Sequence, residues 1–95
     1  MYDKYFYNGV FFGNMSYNQL FRLNFTLHLL INQLDLNMSA KELYNAEKLD
    51  LSNKNVPVPK ELNILPNLRY LNLSQEQLSN LPRQVDQMNL IYNKI

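Results

Sequence analysis

Leu49-Asp-Leu-Ser-Asn-Lys-Asn-Val56 is followed by Leu71-Asn-Leu-Ser-Gln-Glu-Gln-Leu78, 22 residues further on. Each stretch then reaches a proline step, Val58-Pro59-Lys60-Glu61-Leu62 and Leu81-Pro82-Arg83-Gln84-Val85, at an offset of 23. Upstream, Leu68-Arg-Tyr-Leu71 matches Ala46-Glu-Lys-Leu49 at the offset of 22. A fixed recurrence of this length marks stacked supersecondary units, none of which buries its apolar side alone. In each unit the LxL leucines point one way and their neighbours the other, as in a strand. One such motif arises easily in a chain rich in Asn and Leu. Two with matching proline steps are much harder to produce by chance.

The segments between the leucines fit short connections. Pro57 and Pro59 cannot donate to a ladder and so make an irregular edge. Lys60–Leu65 has room for one or two helical turns, stopped before Pro66. Leu78, Leu81, Val85 and Met88 continue the second unit, and Leu90 and Ile91 open a last, truncated strand. Upstream, Ser39-Ala-Lys-Glu42 has the form of a capping box and predicts a short helix over about 40–46. A third LxxLxL, Ile31-Asn-Gln-Leu34-Asp-Leu36, lies 15 residues before the next one, enough for a strand, a short helix and a return.

These motifs resemble leucine-rich repeat proteins over about residues 31–93, and the Leu-Pro step looks like the intracellular and bacterial subclass. The resemblance implies an α/β chain: a short solenoid of parallel strands and short helices, preceded by an N-terminal cap. The family's asparagine ladder position is occupied here by Lys54 and Glu76, with Asn53 and Asn55 flanking the first. Those two asparagines are the expected substitutes through a shift of register.

One domain is expected over 1–95, with residues 1–30 as the cap and 31–95 as the repeat segment. Within the cap, Tyr5-Phe-Tyr-Asn8-Gly9-Val-Phe-Phe12 reads as a hairpin, since Asn-Gly suits a two-residue turn with positive φ. Residues 16–34 carry two competing periods. Leu20, Leu23, Leu27, Leu30, Ile31 and Leu34 form a helical stripe behind a Ser16–Gln19 capping box. Phe21, Leu23, Phe25, Leu27, Leu29 and Ile31 alternate with polar residues as a half-buried strand would. The alternation misplaces only Leu30, and Asn and Thr are poor helix formers. A strand over about 21–29 is therefore preferred, with the helix as its alternative.

Composition narrows the function. A hydrophobic content of 46% with 18% charged residues suits an ordered chain, and a net charge of +1 provides no field to gather nucleic acid. With no cysteine there is no disulfide framework or thiolate metal site, which suits a reducing compartment. The start lacks the pattern of a signal peptide, and a cytoplasmic location is expected. Glycine at positions 9 and 13 alone leaves no phosphate-cradling loop. His28, the single histidine, has no nearby carboxylate pair, so no catalytic residue, metal ligand or cofactor is assigned. Asp35 and Asp50 would sit side by side only if the short third motif stacks as a strand.

The expected function is a non-enzymatic protein–protein interaction module, in its extended form a small inhibitor or antagonist of a larger assembly. Its partner-binding residues are the outward neighbours of the LxL leucines: Lys48, Asp50, Ser52, Tyr70, Asn72 and Ser74, with Gln33, Asp35 and Asn37 if the third motif stacks. Tyr70 is the best single anchor, being large, amphipathic and inexpensive to immobilise. A second expectation is homo-oligomer formation through the repeat edge at Ile91–Ile95. A third, weaker one is single-stranded nucleic-acid binding on Tyr2, Tyr5, Phe6, Tyr7, Phe11, Phe12 and Tyr17, which also needs a basic groove. Only Lys4 and Arg22 lie close enough in sequence to supply it.

Overall fold

The computed structural model describes residues 16–94, with side chains through Asn93. The expected hairpin at Tyr5–Phe12 lies outside the described residues. Elements run in the order α1 (Tyr17–Gln33), α2 (Ala40–Asn45), β1 (Lys48–Asp50), a 3-10 turn (Lys60–Ile64), β2 (Tyr70–Leu73), α3 (Gln75–Ser79), α4 (Arg83–Asp86) and β3 (Ile91–Lys94). The fold is α/β, with a three-stranded parallel sheet in the order β1-β2-β3.

The two leucine motifs supply the first two strands. Leu49 pairs with Leu71 and Asp50 with Asn72, in register and in the same direction. The truncated motif at Leu90-Ile91 supplies the third, with Leu71 opposite Tyr92 and Asn72 opposite Asn93. Leu49, Leu51, Leu71 and Leu73 are all buried beneath the sheet. Against them pack Val58, Leu62, Leu65 and Leu68 from the β1–β2 connection, and Val85 from α4. Fully burying each such leucine stabilises the fold by about 1.5–3 kcal/mol, so these rungs dominate the core.

Residues 17–33 form a helix, which overturns the preferred strand over 21–29. Ser16 Oγ accepts from Gln19 N–H at 3.2 Å, and Gln19 Oε1 accepts from Ser16 N–H at 2.8 Å, closing the capping box. The helical stripe buries Leu27, Leu30 and Leu34 almost completely. Phe21, Phe25 and Leu29, which the strand reading needed on a common face with Leu27, are exposed instead. Thr26 is accommodated because its hydroxyl donates to the Arg22 carbonyl at 2.9 Å. The helix Ala40–Asn45 follows its own capping box, Ser39 with Glu42, as the sequence predicts.

The third LxxLxL is not a strand either. Asp35 has φ of 51°, in the left-handed region, directly after the helix end at Leu34. Leu36 N–H donates to the Ile31 carbonyl at 2.9 Å, and Asp35 N–H to the Asn32 carbonyl at 3.4 Å. This is a Schellman termination, in which the left-handed residue lets the chain fold back onto the last carbonyls. Ile31, Leu34 and Leu36 are thus the apolar residues of a helix end, and Gln33, Asp35 and Asn37 do not extend the sheet. The juxtaposition of Asp35 with Asp50 on adjacent strands falls with it.

Candidate functional site

Strand alternation turns Leu49, Leu71 and Tyr92 toward the core and leaves their neighbours on the opposite face. The register then sorts that face into two rows running across the strands. One row is Lys48, Tyr70 and Ile91; the other is Asp50, Asn72 and Asn93. Lys48 Nζ lies 5.5 Å from the centroid of the Tyr70 ring, a cation–π contact of about 0.5–1 kcal/mol at an exposed position. Ile91, beyond the ring, is 54% exposed. This row therefore passes from a cation, over an aromatic face, to an uncovered aliphatic group.

The second row is a polar ladder. Asn93 Nδ2 donates to Asn72 Oδ1 at 3.1 Å, and the Asn72 amide in turn hydrogen-bonds Asp50. Asp50 Oδ1 also accepts from the Ser52 hydroxyl at 2.5 Å and from Ser52 N–H at 3.0 Å. The Ser52 hydroxyl, then its N–H, hold the Asp50 carboxyl below the usual carboxylate range, with a smaller contribution from Asn72. Glu42 is lowered likewise by the Ser39 N–H and hydroxyl. Both folded-state values lie below the unfolded ones. The stability they contribute is therefore present above the unfolded value and lost as pH falls through the depressed value. Thermal melts should show a drop in stability beginning near roughly pH 4 that is smaller in an Asp50→Asn variant; an equal drop in both would contradict the assignment of Asp50.

Of the six residues expected from the sequence, Lys48, Asp50, Tyr70 and Asn72 come together on this face. Ser52 and Ser74 lie past the strand ends and act locally. Ser52 holds Asp50, while Ser74 caps α3 by accepting from Gln77 N–H at 3.2 Å. Both line an open cleft at the carboxyl ends of β1 and β2, together with Lys54, Glu76 and Asn80. Lys54 is engaged there, its ammonium donating to the Asp35 carbonyl at 2.8 Å.

Three residues lie outside the expected docking set, although Leu90 and Ile91 read as a last strand. Ile91 and Asn93 are hidden because their unit has Asn89, Tyr92 and Lys94 where the preceding one has Leu68, Leu71 and Leu73. Gln77 is the third. It is 8% exposed, and its Nε2 donates to the carbonyls of Leu51, Lys54 and Val56 at 2.9, 2.9 and 3.0 Å. Its Oε1 accepts from Ser74 N–H at 2.8 Å, completing a third capping box. One amide thus binds the bend after β1 to the helix after β2. Asn53 and Asn55, the expected substitutes at this bend, are exposed and do not take that place. The available signal was Ser74-x-x-Gln77 itself.

His28 is exposed on α1, as is Tyr17. Among the described residues, no group of three His, Asp or Glu residues is placed to hold a metal ion, and no helix is long and apolar enough to cross a membrane. Comparisons with protein-family models, curated proteins and solved structures return no match to this chain.

Proposed function

We propose that this chain is a non-enzymatic binding module of the leucine-rich repeat type, which docks a partner protein on the exposed face of its parallel sheet. The observation that supports this most is the arrangement of Lys48, Tyr70 and Ile91 beside Asp50, Asn72 and Asn93 in two adjacent rows. The first row offers an aromatic–aliphatic anchor, and interface centres favour such groups. The second is preorganised by its own hydrogen bonds, so little side-chain freedom remains to be lost on association. The mixed charge of Lys48 and Asp50 selects orientation more than it adds affinity. An inhibitory role toward a larger assembly follows if the partner's own assembly surface is what this face covers.

The test is a tagged pull-down from the native host with identification of the retained protein, followed by calorimetry with that protein purified. Tyr70→Ala combined with Asn72→Lys should abolish binding and leave the circular dichroism spectrum and a cooperative melt in place, because both side chains lie on the outer face. Retention of the purified partner by the double variant with unchanged affinity would remove this face from the account.

A further inference from the structure

The cleft at the carboxyl ends of β1 and β2 has a volume of about 490 Å³ and takes no part in the docking face described above. Two segments of the chain line it. The bend after β1 brings Val56, Pro57 and Val58, which are aliphatic. The helix α3 and its C-cap bring Glu76 and Asn80. Gln77 ties these segments to each other through its amide, so the cleft is shaped before anything enters it. A preformed site loses less freedom on binding than one that must be assembled.

The hydrogen bonds already made by the lining residues consume donors and leave acceptors. Gln77 Nε2 carries two hydrogens and serves three carbonyls, those of Leu51, Lys54 and Val56. Ser52 spends its hydroxyl hydrogen on Asp50 Oδ1, so that its oxygen retains only lone pairs. Asn80 Nδ2 donates to the Glu76 carbonyl at 2.9 Å, while Asn80 Oδ1 has no partner among the described residues. Glu76 is exposed, and among the described residues its carboxylate meets no donor and no cation. Lys54 lines the same cleft, but its ammonium is drawn away to the Asp35 carbonyl beyond the end of α1. The exposed amides of Asn53 and Asn55 supply donors and acceptors alike and do not restore the balance.

We propose that this cleft receives a lysine side chain presented by the partner protein. An ammonium group has three N–H donors and no acceptor, which is the complement of what the cleft has left. Its charge answers the unpaired Glu76 carboxylate. Its four-carbon stem packs along apolar surface while the charged head stays among polar groups, and Val56, Pro57 and Val58 supply that surface. An arginine fits less well. Its planar fork is matched to a carboxylate taken in two parallel bonds, whereas the acceptors here are a carboxylate, a side-chain amide oxygen and carbonyls of a bend. The cleft also adjoins the docking face, since Ser52 both lines it and holds Asp50 at the end of the polar row. A segment of the partner that leaves this face past the strand ends brings a side chain to the cleft. The partner as the source of the lysine rests on the docking reading; the cleft's choice of an ammonium group does not.

The test is a titration of the full chain, followed by the backbone amide resonances, with three blocked tripeptides: acetyl-Gly-Lys-Gly-amide and its norleucine and arginine counterparts. The lysine peptide should shift the amides of Asn53–Val58 and of Glu76–Asn80 saturably, with a Kd of roughly millimolar order. Norleucine, which has the stem without the charge, should leave them in place, and arginine should bind more weakly than lysine. Glu76→Gln should weaken the lysine peptide about fivefold, the upper end of what an exposed ion pair contributes. Position 76 lies outside the Ser74–Gln77 capping box, so an unchanged melting temperature separates this effect from unfolding. The wild-type comparison of the three peptides needs no variant at all. No saturable shift, equal shifts with norleucine, arginine binding as tightly as lysine, or a Glu76→Gln chain with undiminished affinity overturns the proposal. Tyr70→Ala with Asn72→Lys should leave the peptide shifts intact, so a docking face that fails in the pull-down and a cleft that fails here are told apart.

Discussion

Gln77→Leu should destabilise the chain by about 3 kcal/mol, since each buried polar group left without a partner costs about 1–3 kcal/mol. The substitution keeps the size of the side chain and removes its amide. The carbonyls of Leu51, Lys54 and Val56 lose the donor they share, and Ser74 N–H loses its acceptor. Leucine cannot replace any of these bonds, and the bond to the Leu51 carbonyl is buried. Against a total stability of roughly 5–15 kcal/mol for a domain, the loss is a large fraction. Urea denaturation with an unchanged m-value is the measurement. A change below about 1 kcal/mol, the net worth of a single ordinary hydrogen bond, would show that the amide joins the two units in geometry only.

Gln77→Glu sharpens the point, because it keeps the oxygen that accepts from Ser74 and changes only the donor. A carboxylate at that position faces three carbonyl oxygens. Its folded-state pKa is thereby raised above the unfolded value. The sign follows directly: stability is retained below the unfolded pKa, where the protonated acid can still donate, and is lost as pH rises through the folded pKa. The Glu variant should therefore be more stable in mild acid than at neutral pH, the opposite of the trend set by Asp50 and Glu42 in the parent chain. Parallel pH profiles for the two chains would refute the donor role.

The parallel strands were legible because their leucines recur at fixed spacing with proline steps that repeat as well. Leu49 and Leu71 had one consistent environment, and local pattern agreed with tertiary placement. The same pattern misled at Ile31-Asn-Gln-Leu34-Asp-Leu36. A helix end needs apolar groups three residues apart and a further one beyond the left-handed residue. That spacing reproduces LxxLxL by geometry. A glycine at position 35 would have announced the termination; Asp35 takes the left-handed conformation without announcing it. Of the candidate site, Lys48, Asp50, Tyr70 and Asn72 could be placed from strand alternation alone. Leu90-Ile91 announced a last strand, but the register of β3 against β2, which puts Ile91 and Asn93 in the two rows, had no leucine at Tyr92 or Lys94 to fix it. Ser52 and Ser74 were assigned outward by extending the alternation past the strand ends at Asp50 and Leu73.

The choice between helix and strand over 17–33 predicts a contrast that mutation can read. Leu30 is the residue that alternation left out of place, and in the helix it is fully buried with Leu27 and Leu34. Leu30→Ala should cost about 2–5 kcal/mol, since it removes buried methyl groups and leaves a cavity that packed neighbours only partly fill. Phe25 belongs to the alternating set, and in the helix it is 66% exposed. Phe25→Ala should change stability by no more than about 0.5 kcal/mol, the usual range for a surface position. A strand at these residues would reverse the order, burying Phe25 with Leu23 and Leu27 and turning Leu30 to solvent. Both values come from the same denaturation experiment, so their ranking does not depend on the absolute scale.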